Sequence, residues 1–154
     1  MPKTGKATDE RLDTLLDEIR QAVAWSRPSI LLAVHRSKAA QSRAIVAMNT
    51  KLACLSLNVV HINPENEPIN IIHSIVQKPG YGDSVFFILG LGNQLQIYSG
   101  LNLHREVIVE QRLKLVFWLT AKDLVALSRR APDFWAFRHR VIEFLPKPSS
   151  VKKK

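Results

Sequence analysis

Between the apolar run Ile30-Leu31-Leu32-Ala33-Val34 and a helix-forming stretch lie His35, Arg36, Ser37 and Lys38. A phosphate-binding loop belongs at this place in an α/β protein. Such a loop needs glycines, so that backbone N–H groups can wrap the phosphates. It also needs a lysine for the β- and γ-phosphates and a hydroxyl for Mg²⁺. The chain has no glycine between Ile30 and Lys78, and a side chain at every position holds the backbone away from a phosphate. A second requirement fails further on. The strand-like run Val85 to Leu89 is followed by Gly90, where an ATPase places the acidic residue that holds Mg²⁺. Two separate losses argue against nucleoside triphosphate hydrolysis, and no cofactor is expected. Arg36, Ser37 and Lys38 remain as candidate phosphate ligands only for a sensor that binds nucleotide without hydrolysing it.

Other chemistries fare no better. The five histidines (His35, His61, His73, His104 and His139) are scattered, without the HxH or HExxH spacing that binds metal. His35 and His61 are each placed to emerge at the C-terminal edge of a sheet, where α/β proteins bind ligands. Ser99-Gly100 is not a nucleophile elbow, because GxSxG is missing. Gly90-Leu91-Gly92 lacks the third glycine of a dinucleotide fingerprint. A single cysteine, Cys54, cannot form an internal disulfide; on an apolar helix face it is expected to be core. No catalytic residue and no metal site emerge.

The elements that would position these residues alternate regularly. Leu12, Leu15, Leu16, Ile19 and Val23 recur at helical spacing after Thr8, an N-cap type, and Pro28 stops the run. Strands are expected at Ile30–Val34, Leu57–Ile62, Ser84–Leu91, Leu113–Leu119 and from Val141 through Leu145. Helices are expected over Ser37–Leu55, Ile69–Val76, Leu101–Gln111 and Ala121–Arg130, with a last one over Asp133 to Arg140 capped by Asp133. Strands separated by helices imply right-handed βαβ units and a parallel sheet. The chain therefore reads as one α/β domain over 8–146, a three-layer sandwich with a mainly parallel five-stranded sheet. Residues 1–7 read as a flexible N-terminus and 147–154 as a basic tail.

A chain of 154 residues, 46% hydrophobic and 23% charged, is ordinary for one globular domain. No apolar run approaches the roughly 20 residues of a membrane helix, and the N-terminus lacks the apolar core of a secretory signal; a cytoplasmic location is expected. The net charge of +9 is uneven. Acidic residues crowd the first helix, whereas from Arg112 onward eleven Lys and Arg face only Asp123, Asp133 and Glu143. Such a gradient can mark nucleic-acid binding. No aromatic residue alternates with the basic ones as a base-stacking platform requires.

The segment Gly100 to Phe144, GLNLHREVIVEQRLKLVFWLTAKDLVALSRRAPDFWAFRHRVIEF, resembles the second half of bacterial STAND-type P-loop modules, the signalling ATPases related to NACHT and NB-ARC proteins. The likeness lies in NLHRE (Asn102 to Glu106), the strand VFWLT, and then Pro132, Asp133, Phe134, Trp135 and Arg138 leading to VIEF. The first half matches in layout, without the Walker elements. The resemblance implies a degenerate P-loop NTPase-like fold in which VIEF lies beside ILLAV, giving strand order 5-1-4-3-2. It further implies an inactive module serving as a non-enzymatic adaptor in prokaryotic signalling, defence or cell death, coupled to a protein partner or fused effector domain, and compatible with oligomerisation. At helical spacing Phe134, Phe137 and Val141 share one side and Trp135, Arg138 and His139 another. With the first set on the sheet, Trp135 and Arg138 lie near the surface beside Arg129 and Arg130, where Trp and Arg serve as interface anchors.

Overall fold

The computed structural model describes residues 2–64, 71–91 and 95–144. Its centre is a five-stranded, all-parallel sheet of β1 (Ser29–His35), β2 (Asn58–Ile62), β3 (Ser84–Leu89), β4 (Lys114–Thr120) and β5 (Arg140–Glu143), in spatial order β2-β3-β4-β1-β5. This is the expected 5-1-4-3-2 order. The decisive pairing is β4 beside β1, with Ile30 opposite Leu115 and Val34 opposite Leu119, because a flavodoxin-like sheet would seat β2 there.

Strand alternation sends successive side chains to opposite faces, and both faces are apolar. Leu31, Ala33, Val85, Phe87, Val116 and Trp118 face α1 (Pro2–Ala24) and α2 (Lys38–Cys54), meeting Leu15, Ile19, Met48 and Leu52. Ile30, Leu32, Phe86, Ile88, Leu115 and Phe117 face the other layer. That layer holds α3 (Ile71–Val76), α4 (Leu95–Leu103), α5 (Arg105–Glu110), α6 (Ala121–Arg130) and α7 (Pro132–Ala136). Burial on both sides explains why β1, β3 and β4 read as continuous apolar runs.

The turns that feed the strands share a device. After α1, the N–H of Ser26 donates to Val23 O and that of Arg27 to Ala22 O; after α2, Ser56 donates to Ala53 O and Leu57 to Leu52 O; after α5, Arg112 donates to Val109 O and Leu113 to Ile108 O. Each is the paired closure of a helix end that places one residue in the left-handed region. That residue is usually glycine, but here it is Ser26 (φ 49°), Ser56 (φ 61°) and Arg112 (φ 53°).

Several boundaries differ from expectation. Helix α1 begins at Pro2, so Thr8 lies inside it rather than capping it. The helix expected over Leu101–Gln111 is two, α4 and α5, divided at His104. β3 stops at Leu89, because Gly90 turns the chain away with φ 86°. The last helix is short: Ala131 occupies the cap position, Pro132 the first turn, and the helix ends at Ala136. Asp133 is thus a first-turn residue, not the cap. Phe137 to His139 leave the helix because His139 joins the sheet: its N–H donates to Ile30 O at 2.8 Å, and its ring Nδ1 accepts from Ile30 N at 2.9 Å. Cys54, expected in the core, is exposed, since it is the last residue of α2 and lies beyond the buried Leu52. Positions 69 and 70 of the third helix, Leu145 of the last strand and the 147–154 tail fall outside the described residues. No helix among the described residues is long and apolar enough to cross a membrane.

Candidate functional site

A cleft of about 420 Å³ opens at the C-terminal edge of the sheet. Helix α2 contributes Lys38, Gln41, Ser42 and Ile45 to its wall; the strand ends contribute His35, Leu89, Gly90, Leu91, Trp118 and Thr120, with Asn63 after β2 and Asp123 from α6. Open parallel sheets bind ligands at this edge, beyond the carboxyl ends of their strands.

Its geometry follows from a very short β1–α2 connection. β1 ends at His35 and α2 begins at Lys38, leaving only Arg36 and Ser37 between them. Ser37 takes extended φ/ψ of −141° and 161°, and its hydroxyl accepts from Ala40 N at 3.1 Å, capping the helix. A two-residue link of this kind has no arc of N–H groups with which to wrap a phosphate chain. Of the three candidate phosphate ligands only Lys38 lines the cleft; Ser37 is spent on the cap and Arg36 lies outside the wall. The far side is equally committed. Thr120 and Asp123 form a reciprocal capping box at the start of α6, with Asp123 N donating to Thr120 Oγ1 at 3.1 Å.

Two buried polar side chains in the wall have no partner. His35 is 3% exposed, and neither ring nitrogen has a partner at full hydrogen-bond geometry, although the Ser37 backbone lies close enough to favour the protonated ring. Trp118 is fully buried, and its indole Nε1–H donates to nothing. They belong to adjacent strands, Ala33 lying opposite Trp118 and His35 opposite Thr120. Phe87 and Phe144 hold the Trp118 ring at centroid distances of 5.4 and 6.0 Å. Burial lowers the pKa of His35; the Ser37 backbone and the charge of Asp123 oppose that shift, and Lys38 adds to it. His61, the other histidine expected at this edge, is exposed and outside the cleft wall. Its ring stacks on Phe87 and its Nε2 lies 3.2 Å from Asn49 Oδ1. Among the described residues no group of three His, Cys, Asp or Glu side chains could hold a metal ion.

The second candidate surface is the α6–α7 end. Arg138 is exposed, with its guanidinium 4.1 Å from the centroid of the Trp135 ring and its Nη1 donating to Trp135 O. Trp135 is half-buried and packs against the core. Nearby Arg130 lies 5.7 Å over Tyr98, and Arg129 is exposed. The sequence pattern thus places Trp135, Arg138, Arg129 and Arg130 at one end of the molecule, but Trp135 is part wall and part surface.

What the pattern did not reveal is how this end is fastened. Asn102 Oδ1 accepts from the N–H groups of Asp133 (2.8 Å) and Phe134 (3.0 Å), so α4 caps α7 across the fold. Arg105 reaches the same corner, 4.0 Å from Asp133 and 5.7 Å over the Phe137 ring. The NLHRE and APDFW segments are two halves of one clasp; in the sequence they were linked only as parts of the same family resemblance. The unpartnered Trp118 was also missed, because its residue type and neighbours read only as buried strand.

No protein-family model matches the sequence, and no curated protein matches it. Among solved structures, the ORC2 protein of Aeropyrum pernix in its ADP form is similar at 12% identity with a TM-score of 0.48. The match covers 93% of this chain, which spans 47% of that one, about half its length.

Proposed function

We propose that this protein is a non-enzymatic recognition module, an inactive STAND-like domain that binds a protein partner in a prokaryotic signalling or defence assembly. The observation that carries this reading is the β1–α2 link, reduced to Arg36 and Ser37 and closed by a serine cap. Triphosphate hydrolysis needs both a phosphate cradle and a metal-holding carboxylate, and Gly90 stands where the carboxylate would be. With that edge unsuited to nucleotide chemistry, the α6–α7 end is the best-equipped contact surface. A guanidinium stacked on an indole is held in one orientation before any partner arrives, and Trp and Arg recur among residues that anchor interfaces.

Calorimetry with Mg-ATP and Mg-GTP tests the first half: no binding heat is expected, and a dissociation constant in the low micromolar range would overturn the reading. The second half is tested by co-purification from a native host at graded salt. Arg138→Glu should abolish recovery of the partner while the circular dichroism spectrum stays unchanged. Recovery of nucleic acid instead, falling steeply with salt as counterion release requires, would replace the protein partner by a nucleic-acid one.

A further inference from the structure

Independently of the adaptor reading, the cleft at the C-terminal edge carries features that a worn-down loop alone does not explain. A buried donor without a partner keeps its desolvation cost for as long as it stays unpaired, and native structures rarely leave such groups. Here two side chains in one wall, His35 and Trp118, are more than nine-tenths buried and unpartnered. The surrounding residues do not lack polar atoms: Gln41 Nε2 lies 3.4 Å from Trp118 O, on the same residue whose indole N–H stays idle.

The chemistry of the wall narrows the ligand. An indole N–H can only donate, and a neutral imidazole offers one donor and one acceptor. Lys38 adds a cation at the first turn of α2, whose N-terminus carries a partial positive charge. Among the described residues of the wall the one acidic group, Asp123, accepts from Thr120 N in the capping box and keeps its charge, opposite in sign to that of Lys38. On the described polar side Lys38, the N-terminus of α2 and the Trp118 indole N–H can all receive an anionic oxygen, with Asp123 as the one opposing charge, while Ile45, Leu89 and Leu91 form an apolar side. A volume of about 420 Å³ falls in the range of small-molecule sites. The two-residue β1–α2 link does not suit a triphosphate.

We propose that this cleft binds a small organic carboxylate, its oxygens held by Lys38, the Trp118 indole N–H and His35, and its hydrocarbon body against Ile45, Leu89 and Leu91. Binding pairs the two idle groups and needs no covalent step.

The test follows the indole N–H resonances of ¹⁵N-labelled full-length protein during titration with sodium pyruvate, isobutyrate and benzoate, with sodium chloride and benzamide as controls. Trp118→Phe assigns the Trp118 signal, and Trp25 and Trp135 serve as internal references. At least one carboxylate should shift Trp118 saturably at millimolar concentration, leaving the other two indoles in place. Lys38→Gln should weaken that binding about tenfold, the loss of one charge-assisted contact; because Lys38 is exposed, this arm stands even where Trp118→Phe fails to fold. The proposal is overturned by no saturable shift with any of the three acids, by an equal response to benzamide, or by unchanged affinity in Lys38→Gln. A Trp118 shift produced by Mg-ATP alone would also overturn it, and would reinstate a nucleotide site.

Discussion

The two edges of the sheet differ in how they treat their buried polar side chains. At the edge where chains enter the strands, polar groups find partners within the fold. The closures at Ser26, Ser56 and Arg112 bind helix carbonyls, Ser29 N donates to Leu113 O, Lys114 Nζ donates to Arg112 O, and Asn58 Nδ2 meets Ser84 Oγ. At the edge where chains leave the strands, His35 and Trp118 are buried and idle around an open cleft. The entry edge stabilises the fold. The exit edge retains unpaired hydrogen-bonding groups, and in a fold of marginal net stability such groups point to ligand contact rather than to packing.

The largest loss is expected where the core beneath both edges is cut. Phe134 is fully buried, edge-on to Phe117 at a centroid distance of 5.4 Å. Truncation to Ala should cost about 3–5 kcal/mol, read from the urea midpoint. Trp135→Ala, at the half-buried neighbour, should cost clearly less; equal losses would make Trp135 core and remove it as a contact residue. The next effect tests the clasp. Asn102→Ala leaves the N–H groups of Asp133 and Phe134 without their acceptor and should destabilise by about 1–2 kcal/mol. Asn102→Asp keeps the acceptor but sets a second carboxylate against Asp133, whose Oδ2 accepts from Asn102 Nδ2 at 3.5 Å, so it should restore only part of that loss.

Much of this was legible in the sequence, and the reason is physical. Apolar runs buried on both faces mark β1, β3 and β4 whatever surrounds them, and a glycine missing from Ile30 to Lys78 is a fact about backbone reach. The misreadings fall where a distant residue decides the local structure. α7 ends at Ala136 because His139 must meet Ile30, more than a hundred residues earlier in the chain. Asp133 looked like a cap, yet the acceptor comes from Asn102 on another helix. The left-handed residues after α1, α2 and α5 were hidden because Ser and Arg give no signal for a conformation that glycine usually announces. The cleft was half legible: His35 and Lys38 were marked by position, whereas the idle indole of Trp118 depends on how α2 lies over the sheet.

The left-handed residues of the entry edge offer a gain in stability. A side chain at positive φ is strained relative to glycine, so Ser26→Gly and Ser56→Gly should each add about 1 kcal/mol to the unfolding free energy, visible as a higher thermal midpoint. The two sites sit in separate turns, so the gains should add. Mg-ATP calorimetry and the carboxylate titration should be unaffected, since the substitutions lie at the opposite edge. A change in cleft binding would show that the two edges are coupled.

The subtlest expected effect comes from a pair of histidines, one at each edge. His139, at the entry edge, uses Nδ1 to accept from Ile30 N, and its pKa is lowered by desolvation and by Arg27, against the pull of Glu18. His35, at the exit edge, is lowered by burial as well, against the Ser37 backbone and the charge of Asp123. In both cases the unfolded chain takes up a proton at higher pH than the folded one, so unfolding binds protons and stability rises with pH across that window. The contribution is fully present above the ordinary histidine value near 6.5 and is lost as pH falls through the lower folded values. His139→Gln, which keeps a side-chain acceptor but cannot titrate, should flatten the acid limb of a stability–pH curve measured by urea unfolding. A saturating carboxylate should act on the His35 share alone, because a proton on that ring adds a second donor toward the bound anion and raises its pKa. Ligand should therefore flatten what remains of the acid limb in His139→Gln, and an acid limb unchanged by ligand would mean that His35 does not face the bound acid.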